Sequence, residues 1–184
     1  RINELIFSGG DPLVANDRLL SAWAEALAAI PHIRRLRVHT RLPVVIPQRV
    51  SDSLIAWLSG SRLQSVVVIH VNHPAELDAD TQQALVRLKA AGVTLLNQSV
   101  ILKGVNDNAR VLAELSERLF ECGVLPYYLH AFDPVAGAHH FEVSDDKARD
   151  LVRQLITVLP GFLVPRLVRE IPGQPGKTPL DLFA

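Results

Sequence analysis

The chain has 184 residues with 19 basic and 19 acidic side chains, and this balance, without a Lys/Arg cluster, argues against a nucleic-acid binder. At this length one domain buries roughly 70% of the surface that the unfolded chain exposes, and the absence of an apolar run of about 18 residues predicts no membrane span. The lone Cys122 predicts a reducing, cytoplasmic environment, and the arginine at position 1, where a start methionine is expected, predicts a processed chain or a part of a longer one.

Short apolar segments alternate with longer amphipathic segments along the chain. Strands are predicted at residues 4–7, 36–40, 65–70, 94–98 and 125–130, and helices at residues 17–30, 51–58, 81–91, 109–122 and 145–159. Asp17 is the predicted N-cap of the first helix. Residues 162–184 contain four prolines and are predicted to mix strand with ordered loop.

Five successive strand–helix units predict parallel strands joined by right-handed crossovers. A doubly wound sheet and a (β/α) barrel both satisfy this pattern, but polar residues follow all five strands. Because a barrel gathers its strand ends at one mouth, whereas a doubly wound sheet concentrates function at one switch point, this distribution favours the barrel. We therefore predict an α/β fold, an incomplete TIM-like barrel over residues 1–161, with residues 162–184 closing its site.

The turn after the first strand is the first candidate binding element. Gly9 and Gly10 leave backbone amides open to a ligand, and Asp11 adds a carboxylate. A tight strand-to-helix turn is the alternative, and the pattern is not the dinucleotide fingerprint GxGxxG.

Polar residues after the later strands are further candidates. His70 and His73 flank Asn72, and we favour hydrogen bonds to a ligand over metal ligation, because no matching cysteine or carboxylate accompanies them; no metal site is predicted. Gln98, next to Asn97, either points to the barrel mouth or caps its strand. Asp133 either holds a cationic substrate group or caps the next segment.

Lys177 lies in a segment of glycines and prolines, GQPGKTP at residues 173–179. The segment does not match the P-loop pattern. The prolines make this backbone stiff, and a stiff backbone can hold the lysine amine in the fixed position that Schiff-base formation requires. The alternative interpretation is a solvated loop lysine.

Five motifs in this order are more specific than any one of them: SGGDPL at residues 8–13, RLPVVIPQR at 41–49, HVNHPAE at 70–76, NQSVILKGVND at 97–107 and PYY at 126–128. Together they resemble the lysine 2,3-aminomutase family of radical S-adenosylmethionine enzymes, over nearly the whole chain. His130, Glu170 and the short C-terminal end resemble the branch that makes (R)-β-lysine for modification of elongation factor P.

The resemblance implies a six-stranded barrel, three cofactors and a set of site residues. The cofactors are S-adenosylmethionine, a 4Fe-4S cluster and pyridoxal phosphate, which together convert L-α-lysine to β-lysine by radical hydrogen abstraction and 2,3-amino migration. Lys177 matches the lysine that binds pyridoxal phosphate, and Asp133 and Glu170 match the acids that bind the substrate side-chain ammonium. The implied cofactor-binding residues are Ser8, Gly9, Gly10, Asp11, His70, Gln98, His130 and Lys177.

The chain departs from the family pattern at the cluster. The family motif CxxxCxxC is absent, and one cysteine does not hold a 4Fe-4S cluster. We therefore expect this chain to be the C-terminal part of such an enzyme, starting at the second barrel strand, inactive alone, with cluster ligands outside it. Candidate partners are lysine, proteins of the elongation factor P pathway and a second copy.

Three alternatives remain open. The chain is a non-catalytic barrel remnant that binds pyridoxal phosphate or a partner, a glutamate-type 2,3-aminomutase, or a cluster-free barrel lyase that uses Lys177 as its Schiff base. The paired acids Asp133 and Glu170 argue against an anionic substrate side chain.

Overall fold

The computed structural model describes residues 2–134 and 136–183. Seven strands form one sheet: β1 (Glu4–Phe7), β2 (Arg35–His39), β3 (Gln64–Ile69), β4 (Thr94–Val100), β5 (Val124–His130), β6 (Arg166–Arg169) and β7 (Thr178–Pro179). The α-helices are α1 (Asp17–Ala28), α2 (Leu42–Val45), α3 (Asp52–Ser59), α4 (Ala79–Ala90), α5 (Ala109–Glu121) and α6 (Asp145–Val158). Each helix within these ranges is too short or too polar to cross a lipid bilayer.

The order of the strands in the sheet follows their order in the chain. β1 pairs with β2, β2 with β3 and β5 with β6 in parallel, whereas β7 is antiparallel to β6. A doubly wound sheet reverses its strand order at a switch point, so the sequential order favours a barrel segment, as predicted.

The five predicted strands are confirmed, and the C-terminal residues add two more. β6 extends the parallel set beyond the predicted count of five, because the short apolar stretch Leu167–Val168 is buried against β5. The predicted domain limits at residues 1 and 184 lie outside the described residues, and the predicted boundary after residue 161 stays a prediction.

The start of α1 differs from the prediction by one residue. Asn16, not Asp17, is the N-cap, and its side-chain oxygen accepts a hydrogen bond from the Leu19 backbone N–H. The Asp17 carboxylate instead accepts hydrogen bonds from Arg49, Ser53 and the indole N–H of Trp57. Aspartate is a common N-cap residue type, but here the carboxylate of Asp17 binds donors that are distant in the sequence and does not cap the helix.

The chain divides into two compact units. The first contains residues up to His70 together with Leu77–Leu96 and Cys122–Val124, and the second contains Val71–Glu76, Asn97–Glu121 and the chain from Leu125 onward.

In the first unit, Arg49 fixes the segment that follows the glycine turn. Its Nε donates to the Leu13 carbonyl at 2.7 Å, and a terminal nitrogen donates to Asp17 at 2.7 Å and to the Ala15 carbonyl at 3.2 Å. Burial raises the pKa of Asp17, but the hydrogen bonds from Arg49, Ser53 and Trp57 outweigh it and hold that pKa below its ordinary value.

In the second unit, Asn106 fixes the loops after β3 and β4. The residue is fully buried, its Oδ1 accepts from the Leu102 N–H at 2.7 Å, and its Nδ2 donates to the carbonyls of Asn72 and Val100 at 2.8 and 2.9 Å. One buried amide therefore satisfies three backbone groups at or just beyond the ends of β3 and β4.

We predict that Asn106→Ala lowers the free energy of unfolding by ~3 kcal/mol, because it leaves buried backbone groups unpaired. Urea unfolding followed by circular dichroism measures the change. Asn108→Ala is the control, since Asn108 is exposed and accepts one local hydrogen bond from Arg110. Equal losses in the two variants contradict the interpretation.

We predict that Asp17→Asn costs about 2 kcal/mol at pH 7 and that this deficit shrinks in acid. The folded-state pKa of Asp17 lies below its ordinary value of 3.8. The stability that its ionised form contributes is therefore complete well above pH 3.8 and is lost as the pH falls through the folded-state pKa. Urea unfolding at pH 7 and at pH 3 tests this, with Asp80→Asn at the exposed start of α4 as control; a deficit that is equal at both pH values refutes it.

Candidate functional site

The first candidate cluster is the glycine turn, Ser8–Asp11, at the carboxyl end of β1. Gly9 has φ of 113°, a conformation that other residues rarely adopt. A Cβ added at Gly9 or Gly10 meets no atom within 4 Å, and Ser8, Gly9 and Gly10 are exposed. The turn therefore presents open backbone on which a ligand can lie.

Asp11 holds this turn to the end of β2. Its carboxylate accepts hydrogen bonds from the Leu13 N–H at 3.0 Å, the Thr40 hydroxyl at 2.7 Å and the Arg41 N–H at 2.6 Å. Four oxygen lone-pair sites serve a carboxylate, so most of its accepting capacity is used within the protein. Asp11 therefore fixes the turn, and the glycine backbone supplies the open surface.

The loop after β3 is organised by its own side chains. Glu76 accepts from the backbone N–H groups of Asn72 and His73 at 2.7 and 2.8 Å, and the His73 Nδ1 accepts from the Ala75 N–H at 3.1 Å. His70, in the first unit, is half-buried directly after β3, and Gln98, in the second unit, is buried in β4. Residues 2–134 and 136–183 hold no group of three or more His, Cys, Asp or Glu side chains placed to bind a metal ion.

The second candidate cluster, named the hairpin cluster, consists of His130, Asp133, Arg169, Glu170 and Lys177 in the second unit. His130 is the last residue of β5, and Arg169 is the last residue of β6. In the antiparallel pairing of β6 and β7, Arg169 lies opposite Thr178. This register brings Glu170 and Lys177 together across the intervening turn, and the Lys177 ammonium donates to a Glu170 carboxylate oxygen.

Arg169 links the cluster to α6, a contact that the sequence analysis did not predict. Its two terminal nitrogens donate to the two Asp145 oxygens at 2.9 and 2.5 Å, and its Nε lies 3.7 Å from an Asp133 oxygen. The sequence signal was weak, because Asp145 is typical of the first turn of any helix and Arg169 ends an apolar strand.

Charge and burial give His130 and Glu170 different states. The hydrogen bond from Lys177 holds the pKa of Glu170 below its ordinary value, so its carboxylate is ionised at neutral pH. Burial lowers the pKa of His130, the Lys177 charge adds to this, and Glu170 and Asp133 oppose it. His130 is therefore a neutral imidazole at neutral pH.

His130 also has unused hydrogen-bonding capacity. Its side chain is 7% exposed, and within the described ranges no hydrogen-bond partner contacts its Nε2. The Tyr128 ring meets the imidazole edge to face, with the ring centroids 6.0 Å apart. A buried imidazole nitrogen without a partner lowers the stability of the fold unless a ligand forms a hydrogen bond with it. The hairpin cluster thus offers a ligand three kinds of group: a primary amine, a neutral imidazole and two carboxylates that can bind a cation.

No protein-family model matches the chain. The chain is 56% identical over 181 residues to an L-lysine 2,3-aminomutase of Escherichia coli, covering 98% of this chain and 53% of the relative. It is 54% identical over 177 residues to the enzyme of that name from Haemophilus influenzae, and 37% identical over 180 residues to that from Methanococcus maripaludis. The chain spans 53%, 52% and 41% of the length of these three relatives, respectively.

Among solved structures, a radical SAM methyltransferase from Sphaerobacter thermophilus is similar in fold, with a TM-score of 0.54 over 74% of this chain and 40% of that one, at 17% sequence identity. The predicted fold class, an α/β fold of mainly parallel strands as in an incomplete barrel, is confirmed. The resemblance stated from the motifs is confirmed as well: over nearly its whole length this chain is homologous to the L-lysine 2,3-aminomutases, and it belongs to their family.

Proposed function

We propose that the protein containing this chain is an isomerase that converts L-α-lysine to β-lysine with S-adenosylmethionine, a 4Fe-4S cluster and pyridoxal phosphate. The observation that carries the proposal is the hairpin cluster, where the Lys177 amine lies against Glu170, within the electrostatic reach of His130. The identity to enzymes named L-lysine 2,3-aminomutase supports it.

The hairpin cluster fits pyridoxal phosphate. Lys177 is the amine that would hold the cofactor aldehyde, and its side chain is 26% exposed, so a ligand can reach it. Within the part of the chain that the structure describes, the Nε2 of buried His130 has no hydrogen-bond partner, so it is free to make a hydrogen bond to a polar atom of the cofactor. When bound, this cofactor supplies an electron-delocalising π-system; Lys177 and His130 orient it.

The glycine turn fits one end of S-adenosylmethionine. Gly9 and Gly10 offer open backbone, and Asp11 holds them in place through Thr40 and Arg41. Ser8, His70 and Gln98 are proposed to line the remainder of the cofactor region by family resemblance. S-adenosylmethionine is the source of the radical chemistry in this family.

The described residues do not fit the iron–sulfur cluster. Cys122 is the only cysteine of the chain and is 4% exposed at the end of α5, whereas a cluster needs several thiolates. We therefore propose that the cluster ligands are residues outside this chain.

Asp133 and Glu170 are the proposed partners of the substrate side-chain ammonium. Two carboxylates bind an ammonium by charge-assisted hydrogen bonds and repel an anionic side chain, which disfavours the glutamate-type alternative. Glu170 and His130 also support the proposed branch, formation of β-lysine for elongation factor P, and a cytoplasmic site of action accords with the single cysteine.

Anaerobic incubation of the whole protein with L-lysine, S-adenosylmethionine, pyridoxal phosphate and a reductant tests the proposal. The expected product is β-lysine, identified by chromatography after derivatisation. If a cluster-loaded protein forms no β-lysine, the proposed isomerase activity is refuted. The alternative that is then retained is a non-catalytic barrel remnant that binds pyridoxal phosphate or a partner. Turnover in air without S-adenosylmethionine favours the cluster-free lyase.

We predict that Lys177→Ala abolishes covalent binding of pyridoxal phosphate. The wild-type chain is expected to show the absorbance band of the lysine-bound cofactor and, after borohydride reduction, the corresponding mass increase; the variant shows neither. Lys103→Ala, which removes an exposed lysine of the same unit, retains both signals. If Lys177→Ala shows the same mass increase as the wild type, a different amine binds the cofactor.

We predict that Asp133→Asn and Glu170→Gln each raise the KM of the whole protein for L-lysine about fivefold, the size expected for partly exposed ion pairs. Steady-state kinetics measure the change, and Glu142→Gln, at an exposed acid of the same unit, leaves KM unchanged. If the double variant keeps the wild-type KM, the two acids do not bind the substrate ammonium.

A further inference from the structure

Glu170 contacts one primary ammonium in this structure and is proposed to bind a second. We propose that Glu170 is an exchange carboxylate: it holds the Lys177 ammonium until that amine condenses with an aldehyde cofactor, and is then released to the side-chain ammonium of the substrate. The identity of both ligands rests on the proposed function. Under this proposal, cofactor binding opens the substrate site.

The contact is built into the hairpin. Arg169 opposite Thr178 fixes the antiparallel register, and Glu170 and Lys177 are the residues that follow and precede this pair. Their ion pair forms within one turn of chain, so only a few residues must be ordered to make it. The pair is therefore the default state of an unmodified Lys177 amine.

The two ammonium groups compete for the same atoms. The Lys177 ammonium and the side-chain ammonium of a lysine substrate are both primary alkylammonium groups with the same charge and three N–H donors. A second ammonium at a carboxylate that already holds one is repelled by the first. Glu170 therefore serves one of them at a time.

Asp133 does not relieve this competition. Its oxygen lies 3.7 Å from the Arg169 Nε, and Arg169 is itself held by Asp145. With His130 neutral, the three carboxylates Asp133, Asp145 and Glu170 face two cations, which leaves one net negative charge. When condensation leaves an unprotonated imine, loss of the Lys177 charge raises this to two, and binding of one substrate ammonium returns it to one.

Condensation removes the competitor by a balanced reaction. The Lys177 ammonium releases a proton to water, its nitrogen attacks the aldehyde carbon, and one water molecule leaves as the carbon–nitrogen double bond forms. The nitrogen then carries at most one hydrogen instead of three. Glu170 loses its strongest donor in this step, and its carboxylate becomes available.

Calorimetry of L-lysine binding to the chain without pyridoxal phosphate tests the exchange. Lys177→Met removes the competing charge but keeps an unbranched side chain only one atom shorter. The variant is therefore expected to bind L-lysine about threefold more tightly than the wild type, the factor typical of a partly exposed ion pair. L-norleucine, which lacks the side-chain ammonium, gains nothing. Lys177→Met combined with Glu170→Gln loses the gain.

Lys89→Met is the matched control, because Lys89 is exposed in the last turn of α4; it is expected to bind L-lysine as the wild type does. Circular dichroism establishes that the variants are folded. Equal or weaker L-lysine binding by folded Lys177→Met overturns the proposal, as does an equal gain for L-norleucine or no binding by either protein. Formation of β-lysine by the whole protein is a separate readout, so the exchange and the proposed function can fail independently.

Discussion

Parallel pairing of strands is the constraint on which the candidate site depends. A chain that makes neighbouring parallel strands must return along a helix each time, so the residues that follow the strands emerge at one edge. In the first unit this places the glycine turn after β1 beside Thr40 and Arg41 after β2, and hydrogen bonds to Asp11 join them. In the second unit it places His130 on β5 and Arg169 on β6, strands that pair in parallel, within one cluster of charges.

In the glycine turn, anchoring and ligand exposure are carried by different residues. The residue types alone allow Asp11 to bind a ligand directly, but three donors of the protein already occupy its carboxylate. Anchoring is what the neighbouring glycines need, since Gly9 has a left-handed φ and glycine loses more conformational entropy than other residues when it is ordered. Asp11 and Arg49 offset this loss on the C-terminal side of the glycines. Asp11 accepts hydrogen bonds from Thr40 and Arg41, and Arg49 donates to the Leu13 carbonyl. Both residues thus prepare a backbone surface that neither covers.

Apolar periodicity predicts the five central strands and their helices because burial of an apolar face decides where those elements form. Residue type predicts an N-cap at Asp17, but Asn16 is also a capping residue type. Arg49, more than thirty residues away, engages the Asp17 carboxylate, and Asn16 caps the helix. The family resemblance implies Lys177 and Glu170 as site residues, but their mutual contact follows from the β6–β7 register, which a four-residue strand and a two-residue strand encode weakly. The Arg169–Asp145 contact could not be predicted from the sequence for the same reason. The two residues are distant in the chain, and each is of a type that is common at its place in β6 or α6.

The hairpin gives this site an electrostatic property that its residue list does not show. Asp133 and Glu170 look like two carboxylates waiting for a cation, yet Arg169 lies near the first and Lys177 contacts the second. Of these two cations, Arg169 is permanent, because a guanidinium stays charged in proteins and Asp145 holds it in place. Lys177 is the cation whose charge a chemical reaction can remove. Under the proposed function, the negative charge offered to a substrate therefore depends on the state of the Lys177 amine. Because Lys177 lies seven residues from Glu170, we propose that cofactor binding and substrate recognition are coupled through the β6–β7 hairpin.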